Sequence, residues 1–171
     1  MFGFNTMIQR VFLSLGTNLG NRFENMTAMV HACSSILKPP ITLTSLMETE
    51  PIGVPDTQQW YYNRIICGSY NKTMHTLLEQ CQEIEKRLGR TAHSHLRART
   101  ADIDILLADA SVVNETDLTI PHPEILNRRF CILGISEIAP EQIHPVAEIP
   151  FREIALHMNS IVAQQKINVI G

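Results

Sequence analysis

The chain has 171 residues, of which 44% are hydrophobic and 18% charged, enough apolar material for one self-supporting core and outside the range of disordered or membrane-spanning chains. Fourteen basic against seventeen acidic side chains leave a net charge of −3, so no global basic surface points to nucleic acid or to an anionic membrane as partner. Cys33, Cys67, Cys81 and Cys131 show neither C-x-x-C spacing nor the density of a disulfide scaffold and read as reduced core thiols.

At the start of the chain, Met1–Arg10 is too short and too polar for a signal peptide, and no apolar run approaches the ~18 residues that span a bilayer. The expectation is a cytosolic protein of one domain over residues 1–171, with 1–6 a disordered extension. Val11–Leu15 is an apolar run ending in Gly16-Thr17-Asn18-Leu19-Gly20, the pattern of a strand entering a turn. Phe23, Met26, Met29, Val30, Cys33, Ile36 and Leu37 then recur at helical spacing until Pro39-Pro40 ends the pattern. Ile41–Met47 and Trp60–Tyr70 are rich in β-branched and aromatic residues and predict two strands, joined by a Pro/Gly loop at Glu50–Gln59. Met74, Leu77, Leu78, Cys81, Ile84 and Leu88 form the clearest helical stripe, closed by Gly89. Arg90–Arg99 has no apolar period and predicts an exposed loop, whereas Thr100–Ala108 alternates and predicts a strand. A hairpin through Asp109–Asn114, an edge segment at Leu118–Ile120 and helices at Asn127–Ile138 and Pro150–Met158 complete the order. The succession β-α-β-β-α-β predicts an α+β fold of the ferredoxin-like, split βαβ kind: an antiparallel sheet with flanking helices, placed on one face.

Asp102 and Asp104 carry the strongest chemical signal, because alternation in an apolar strand sets both carboxylates on one face, ~6–7 Å apart. Such a pair either binds a hard cation such as Mg²⁺ through oxygen ligands or decorates the solvated face of an edge strand. From Lys86 to Ala101 run five basic residues, Lys86, Arg87, Arg90, Arg97 and Arg99, with His93, His95 and no acid. Cations beside a dicarboxylate suit a metal-bound polyphosphate, while a plain basic loop accounts for the same charges. Glu85 shares the apolar helical face that ends at this loop, which fits an edge position as well as a ligand contact. Thr49, Ile52, Tyr61 and Asn63 offer an aromatic plate beside an amide, the means of holding a planar heterocycle, although aromatic residues in strands are commonly core. His122 sits between Pro121 and Pro123 near Arg128 and Arg129, where a lone histidine is commonly structural.

Taken in order, these segments resemble the 6-hydroxymethyl-7,8-dihydropterin pyrophosphokinase family of the folate pathway over nearly the whole chain. Four motifs carry the resemblance: Leu13-Ser14-Leu15-Gly16-Thr17-Asn18-Leu19-Gly20; Thr49-Glu50-Pro51-Ile52-Gly53 with Tyr61-Tyr62-Asn63; Arg99-Thr100-Ala101-Asp102-Ile103-Asp104-Ile105-Leu106; and Leu118-Thr119-Ile120-Pro121-His122-Pro123 with Asn127-Arg128-Arg129-Phe130. The third is the most specific. The resemblance implies transfer of a diphosphate from ATP to the hydroxymethyl oxygen of a reduced pterin, with release of AMP. It implies two Mg²⁺ ions on Asp102 and Asp104, brought with ATP, and catalytic contacts from Arg90 and Arg99 to the phosphates. Tyr61 and Phe130 would sandwich the pterin while Asn63, Thr49 and the backbone near Ile52 bind its edge. Leu78, Glu85, Arg97, Arg99, Ile105, Thr119, His122 and Arg128 would line the ATP site.

The chain departs from the family pattern at Arg97, where the signature has glycine or alanine, at Ala92, often a second loop arginine, in a loop one residue shorter, and at Pro123, an aromatic in some members. Arg97 is expected to supply the charge missing at Ala92. Other folate-pathway enzymes are the protein partners the resemblance suggests. The alternative is a non-catalytic ferredoxin-like binding or regulatory paralogue, or another ATP-using transferase on the same scaffold. A regulator has no need of both a pterin-type loop and a D-x-D strand, which favours the enzyme.

Overall fold

A computed structural model describes residues 8–90 and 97–170. The expected extension at 1–6 and the middle of the basic loop, with Ala92, His93 and His95, lie outside the described residues. Strand β1 (Gln9–Thr17) is buried without interruption from Val11 to Thr17, Ser14 and Thr17 included, as in a strand covered on both faces. It pairs antiparallel with β4 (Tyr61–Tyr70) on one side and β5 (Asp102–Ala108) on the other. β2 (Lys38–Leu43) and β3 (Leu46–Thr49) both pair with β4, and β8 (Ile167–Ile170) adds to β3, giving the order β5-β1-β4-β3-β8. With β2 and β3 counted as one edge, this is the expected ferredoxin-like plan.

Helix α1 (Arg22–Ile36) starts behind Asn21, whose side chain accepts from Glu24 N at 3.2 Å, and α2 (Met74–Arg87) starts behind Thr73, which accepts from Thr76 N at 3.2 Å. Gly89 follows α2 at φ +88°, the left-handed position that ends a helix at least cost in a glycine. These helices cover one face of the sheet over Val11, Leu13, Leu15, Ile66 and Ile103. Phe23, on the predicted stripe of α1, is instead 65% exposed, one turn too early to reach the core.

Three expectations are corrected. The helices do not share one face: α3 (Arg129–Ile138) and α4 (Phe151–Leu156) pack on the other, over Phe12, Ile65, Cys67 and Leu107. The strand expected at Ile41–Met47 is two, because Thr44 turns its hydroxyl onto the ladder and accepts from Ile65 N at 3.0 Å. The hairpin expected through Asp109–Asn114 is replaced by a turn at Asp109 (φ +44°) and a separate pair of β6 (Val113–Asn114) with β7 (Thr119–Ile120). The last two helices are shorter than predicted, and α5 (Ser160–Ala163) and β8 are additions. Among the described residues no helix is long and apolar enough to cross a membrane.

Candidate active site

Strand register assembles the floor of a cavity on the α3 side of the sheet. Gly16 on β1 lies opposite Asn63 on β4 and Asp102 on β5, and Ser14 lies opposite Asp104. An amide, a bare backbone position and a carboxylate therefore form one row across three strands. A Cβ at Gly16 would stand 3.0 Å from Asn63 Oδ1 and 3.7 Å from the Asp102 Cβ, so the glycine keeps the floor open. The cavity has a volume of about 240 Å³.

Its walls come from four segments. Thr49, at the end of β3, accepts from Asn63 Nδ2 at 2.7 Å in a buried pair that fixes the amide. Beyond it Glu50, Ile52 and Val54 form one wall, with Tyr61 at the start of β4. The opposite wall is the stretch from His122 through Arg128 to Phe130, and the C-terminal Gln165–Ile167 closes the end between them. His122 is held next to β5 by its N–H bond to Leu106 O at 2.9 Å. Its Nδ1 accepts from Glu124 N at 3.2 Å, which leaves Nε2 facing Asp104 Oδ1 at 4.0 Å.

Charge at the floor is arranged around Asp102. Its Oδ1 accepts from Arg90 Nη1 at 2.6 Å and lies 3.0 Å from Arg99 Nη1. Arg90 also binds Glu85, whose Oε1 takes the Ile103 N–H at 2.6 Å. Arg90 thus ties the end of α2 to the edge strand β5. Burial pushes the Glu85 carboxyl up to about 7 against the pull of the Ile103 N–H and of Arg90. Partial desolvation and the neighbouring Asp102 charge raise the Asp104 carboxyl above its ordinary range, with His122, Arg90 and Arg99 opposing. Two carboxylates held so close on one strand are a donor set for a hard cation. Outside the cavity, His75, Glu115 and Asp117 also bring three ligand atoms within 4.8 Å of one another, all on exposed side chains.

Of the residues singled out from sequence, Thr49, Ile52, Tyr61, Asn63 and Phe130 line the cavity together with Arg99, Asp102, Asp104, His122 and Arg128. The remaining six are not in its lining. Glu85 and Arg90 back it through Asp102, Leu78 and Ile105 belong to the core on the α2 side of the sheet, Thr119 lies in β7, and Arg97 is exposed next to Arg99. Residues that the sequence did not disclose include Gly16, Ser14, Gln165 and Asn18. Asn18 is 1% exposed. Its backbone N–H binds Arg99 O at 3.0 Å, its Oδ1 takes Arg99 N at 2.8 Å, and its Nδ2 reaches Gln58 Oε1 at 3.0 Å and Gln59 O at 3.2 Å. The glycine turn that contains Asn18 was visible, but its bonding partners lie 40 and 81 positions away and leave no local pattern.

Residues 12–140 match the family described as 7,8-dihydro-6-hydroxymethylpterin-pyrophosphokinase. The chain is 33% identical over 144 residues to the 2-amino-4-hydroxy-6-hydroxymethyldihydropteridine pyrophosphokinase of Porphyromonas gingivalis, covering 82% of this chain and 97% of that protein. It is 31% identical over 133 residues to the Bacillus subtilis protein of that name, covering 76% and 78%. It is also 30% identical over 154 residues to the folic acid synthesis protein fol1 of Pneumocystis carinii, where 90% of this chain spans only 20% of the larger protein. Among solved structures, wild-type Plasmodium falciparum HPPK-DHPS with SDX-DHP shares the fold at a TM-score of 0.69 and 14% identity, over 88% of this chain and 44% of that one.

Proposed function

The chain belongs to the 7,8-dihydro-6-hydroxymethylpterin-pyrophosphokinase family, and from that premise we propose that it transfers a diphosphate from ATP to the hydroxymethyl oxygen of 6-hydroxymethyl-7,8-dihydropterin, releasing AMP. One observation carries the reading: a single cavity joins a dicarboxylate and guanidinium groups to an amide and aromatic side chains. The hydroxymethyl oxygen forms a bond to the β-phosphorus, the bond from that phosphorus to the α–β bridging oxygen breaks, AMP departs and the hydroxyl proton is lost to solvent.

Tyr61 and Phe130 grip the flat ring from its faces and Asn63, oriented by Thr49, reads its edge; the stack supplies affinity and the amide supplies orientation. Asp102 and Asp104 are the residues that would hold Mg²⁺, two ions in this reading. Their hard oxygen atoms and mutual repulsion fit that cation. Bound Mg²⁺ would offset phosphate charge. Arg99 and Arg128 in the cavity, and Arg90 at its edge, offer guanidinium forks to the phosphates. The nucleotide would lie along the free edge of β5, between α2 with Leu78 and Glu85 and the β7 segment with Thr119 and His122, because both elements touch that strand. Rate acceleration then rests on in-line placement and charge neutralisation, in the cytosol, where ATP and Mg²⁺ are both supplied.

The test is AMP formation from ATP and 6-hydroxymethyl-7,8-dihydropterin with and without Mg²⁺. Pterin- and Mg²⁺-dependent AMP release is the expected result. Pterin binding with no AMP release would instead assign the chain to the non-catalytic binding class.

A further inference from the structure

Helix α3 carries one wall of the cavity, and its first turn begins behind a residue that cannot cap it. Arg128 stands at the N-cap position and makes no side-chain capping bond, although first-turn N–H groups need acceptors. The acceptor arrives from 36 positions away: Gln165 Oε1 takes the Arg129 N–H at 2.9 Å. Gln165 Nε2 donates to Asn127 O at 2.8 Å, and the Gln165 carbonyl accepts from Arg129 Nη1 at 2.9 Å. All three bonds fall on the turn that places Arg128 and Phe130 in the cavity.

The same segment is anchored to the facing wall. Lys166 N donates to Glu50 Oε1 at 2.9 Å, Glu50 N donates to Lys166 O at 3.4 Å, and Ile167 pairs with Thr49 across β3 and β8. Gln165 is thus the link between a strand fixed to Thr49 and Glu50 and the turn bearing Arg128 and Phe130. We propose that Gln165 is a positioning residue: it caps α3 from outside the helix and so sets the separation of the two walls that hold the pterin. The inference rests on the reading of this cavity as a pterin site and adds a residue to it. Water can satisfy the Arg129 N–H, but water does not tie the turn to β8.

Two variants of the full chain separate capping from packing. Gln165→Met keeps the side-chain length and removes the two side-chain hydrogen bonds while leaving the backbone carbonyl bond to Arg129 Nη1; Gln165→Glu keeps an acceptor for Arg129 N. Amide hydrogen exchange over Arg129–Ile132 and fluorescence titration with 6-hydroxymethylpterin beside Mg²⁺ and a non-hydrolysable ATP analogue are the readouts. In Gln165→Met, exchange in the first turn should quicken and pterin affinity should fall about five- to tenfold, the range of one lost cap. The loss should fall on KM for pterin more than on kcat, and Gln165→Glu, which keeps the acceptor but loses the donor to Asn127 O, should restore slow exchange at the Arg129 amide while recovering only part of the pterin affinity. Unchanged exchange in Gln165→Met, faster exchange with undiminished pterin affinity, or a Glu variant whose Arg129 amide exchanges as fast as in the Met variant would each overturn the inference. A wild-type chain that binds no pterin defeats the proposed function instead, and the exchange comparison then decides the capping role alone.

Discussion

Gly16→Ala tests whether the row Asn63–Gly16–Asp102 is the floor of a working site. The added Cβ would lie 3.0 Å from Asn63 Oδ1, 3.7 Å from the Asp102 Cβ and 3.9 Å from Tyr61 Cδ1. Only the first contact is too close, so relief falls on Asn63, whose amide must swing by a few tenths of an ångström. That amide is held by a 2.7 Å bond to Thr49 in a buried position, and loosening such a bond costs ~1 kcal/mol. With overpacking strain added, the fold should lose ~1–2 kcal/mol and remain folded. Pterin affinity should drop more sharply, by ~10-fold, because a misdirected amide leaves polar edges of the heterocycle unpaired. Thermal unfolding and pterin titration measure the two losses. A double-mutant cycle locates the cause: if the damage passes through Asn63, Gly16→Ala should cost little further affinity once Asn63→Ala is present. Pterin affinity within twofold of wild type in Gly16→Ala, or full additivity in the cycle, would refute the reasoning.

The two aspartates should part company in stability while sharing a loss of turnover. Asp104→Asn removes repulsion against Asp102 and should raise the melting temperature in metal-free buffer near pH 8, whereas Asp102→Asn strips the shared carboxylate from Arg90 and Arg99 and should lower it; retained Mg²⁺-dependent activity in either variant would remove that residue from the metal site. For Glu85 the sign is fixed by its direction. The carboxyl takes a proton more readily folded, at about 7 against an ordinary 4.5, so its contribution is fully present below about pH 4.5 and is lost as pH rises through about 7. Wild-type stability should therefore decline across that window by at most ~3 kcal/mol, and Glu85→Gln should flatten the decline in urea-unfolding curves; an identical profile in the variant would show that another group titrates. Arg97→Gly restores the family's small residue but deletes an exposed cation next to Arg99. It should weaken ATP binding or slow turnover several-fold in steady-state kinetics, and faster turnover would count against a compensating role.

The central features of the fold were legible because they depend on local periodicity. The run Val11–Leu15 was legible as a strand, but that it is covered on both faces was not read from it, and the helices were assigned to one. Thr44 broke a strand that propensity alone runs straight through, since only the tertiary partner Ile65 makes its hydroxyl a better acceptor than the ladder. Asp102 and Asp104 stood out as charges in an apolar strand. Tyr61, Asn63 and Phe130 were reached partly by chemistry and partly through family resemblance. Gly16 was noticed as a turn glycine, but its place between Asn63 and Asp102 follows from register across three strands. Gln165 lies in a stretch with no periodic signal, and its importance comes entirely from which turn it meets.

Asn18 ties together two segments that border the cavity. One side chain and its backbone hold Arg99 at the foot of the basic segment and Gln58 and Gln59 at the exit of the Pro/Gly loop. Under the proposed function, restraining either arm would restrain the shared pin, so the ligand that arrives first would lower the cost of binding the second. Linkage would then demand symmetry: any factor by which nucleotide tightens pterin binding would equal the factor by which pterin tightens nucleotide binding. Under the proposed function, Asn18 is accordingly the position at which affinity for each ligand alone and any cooperation between them would be separated.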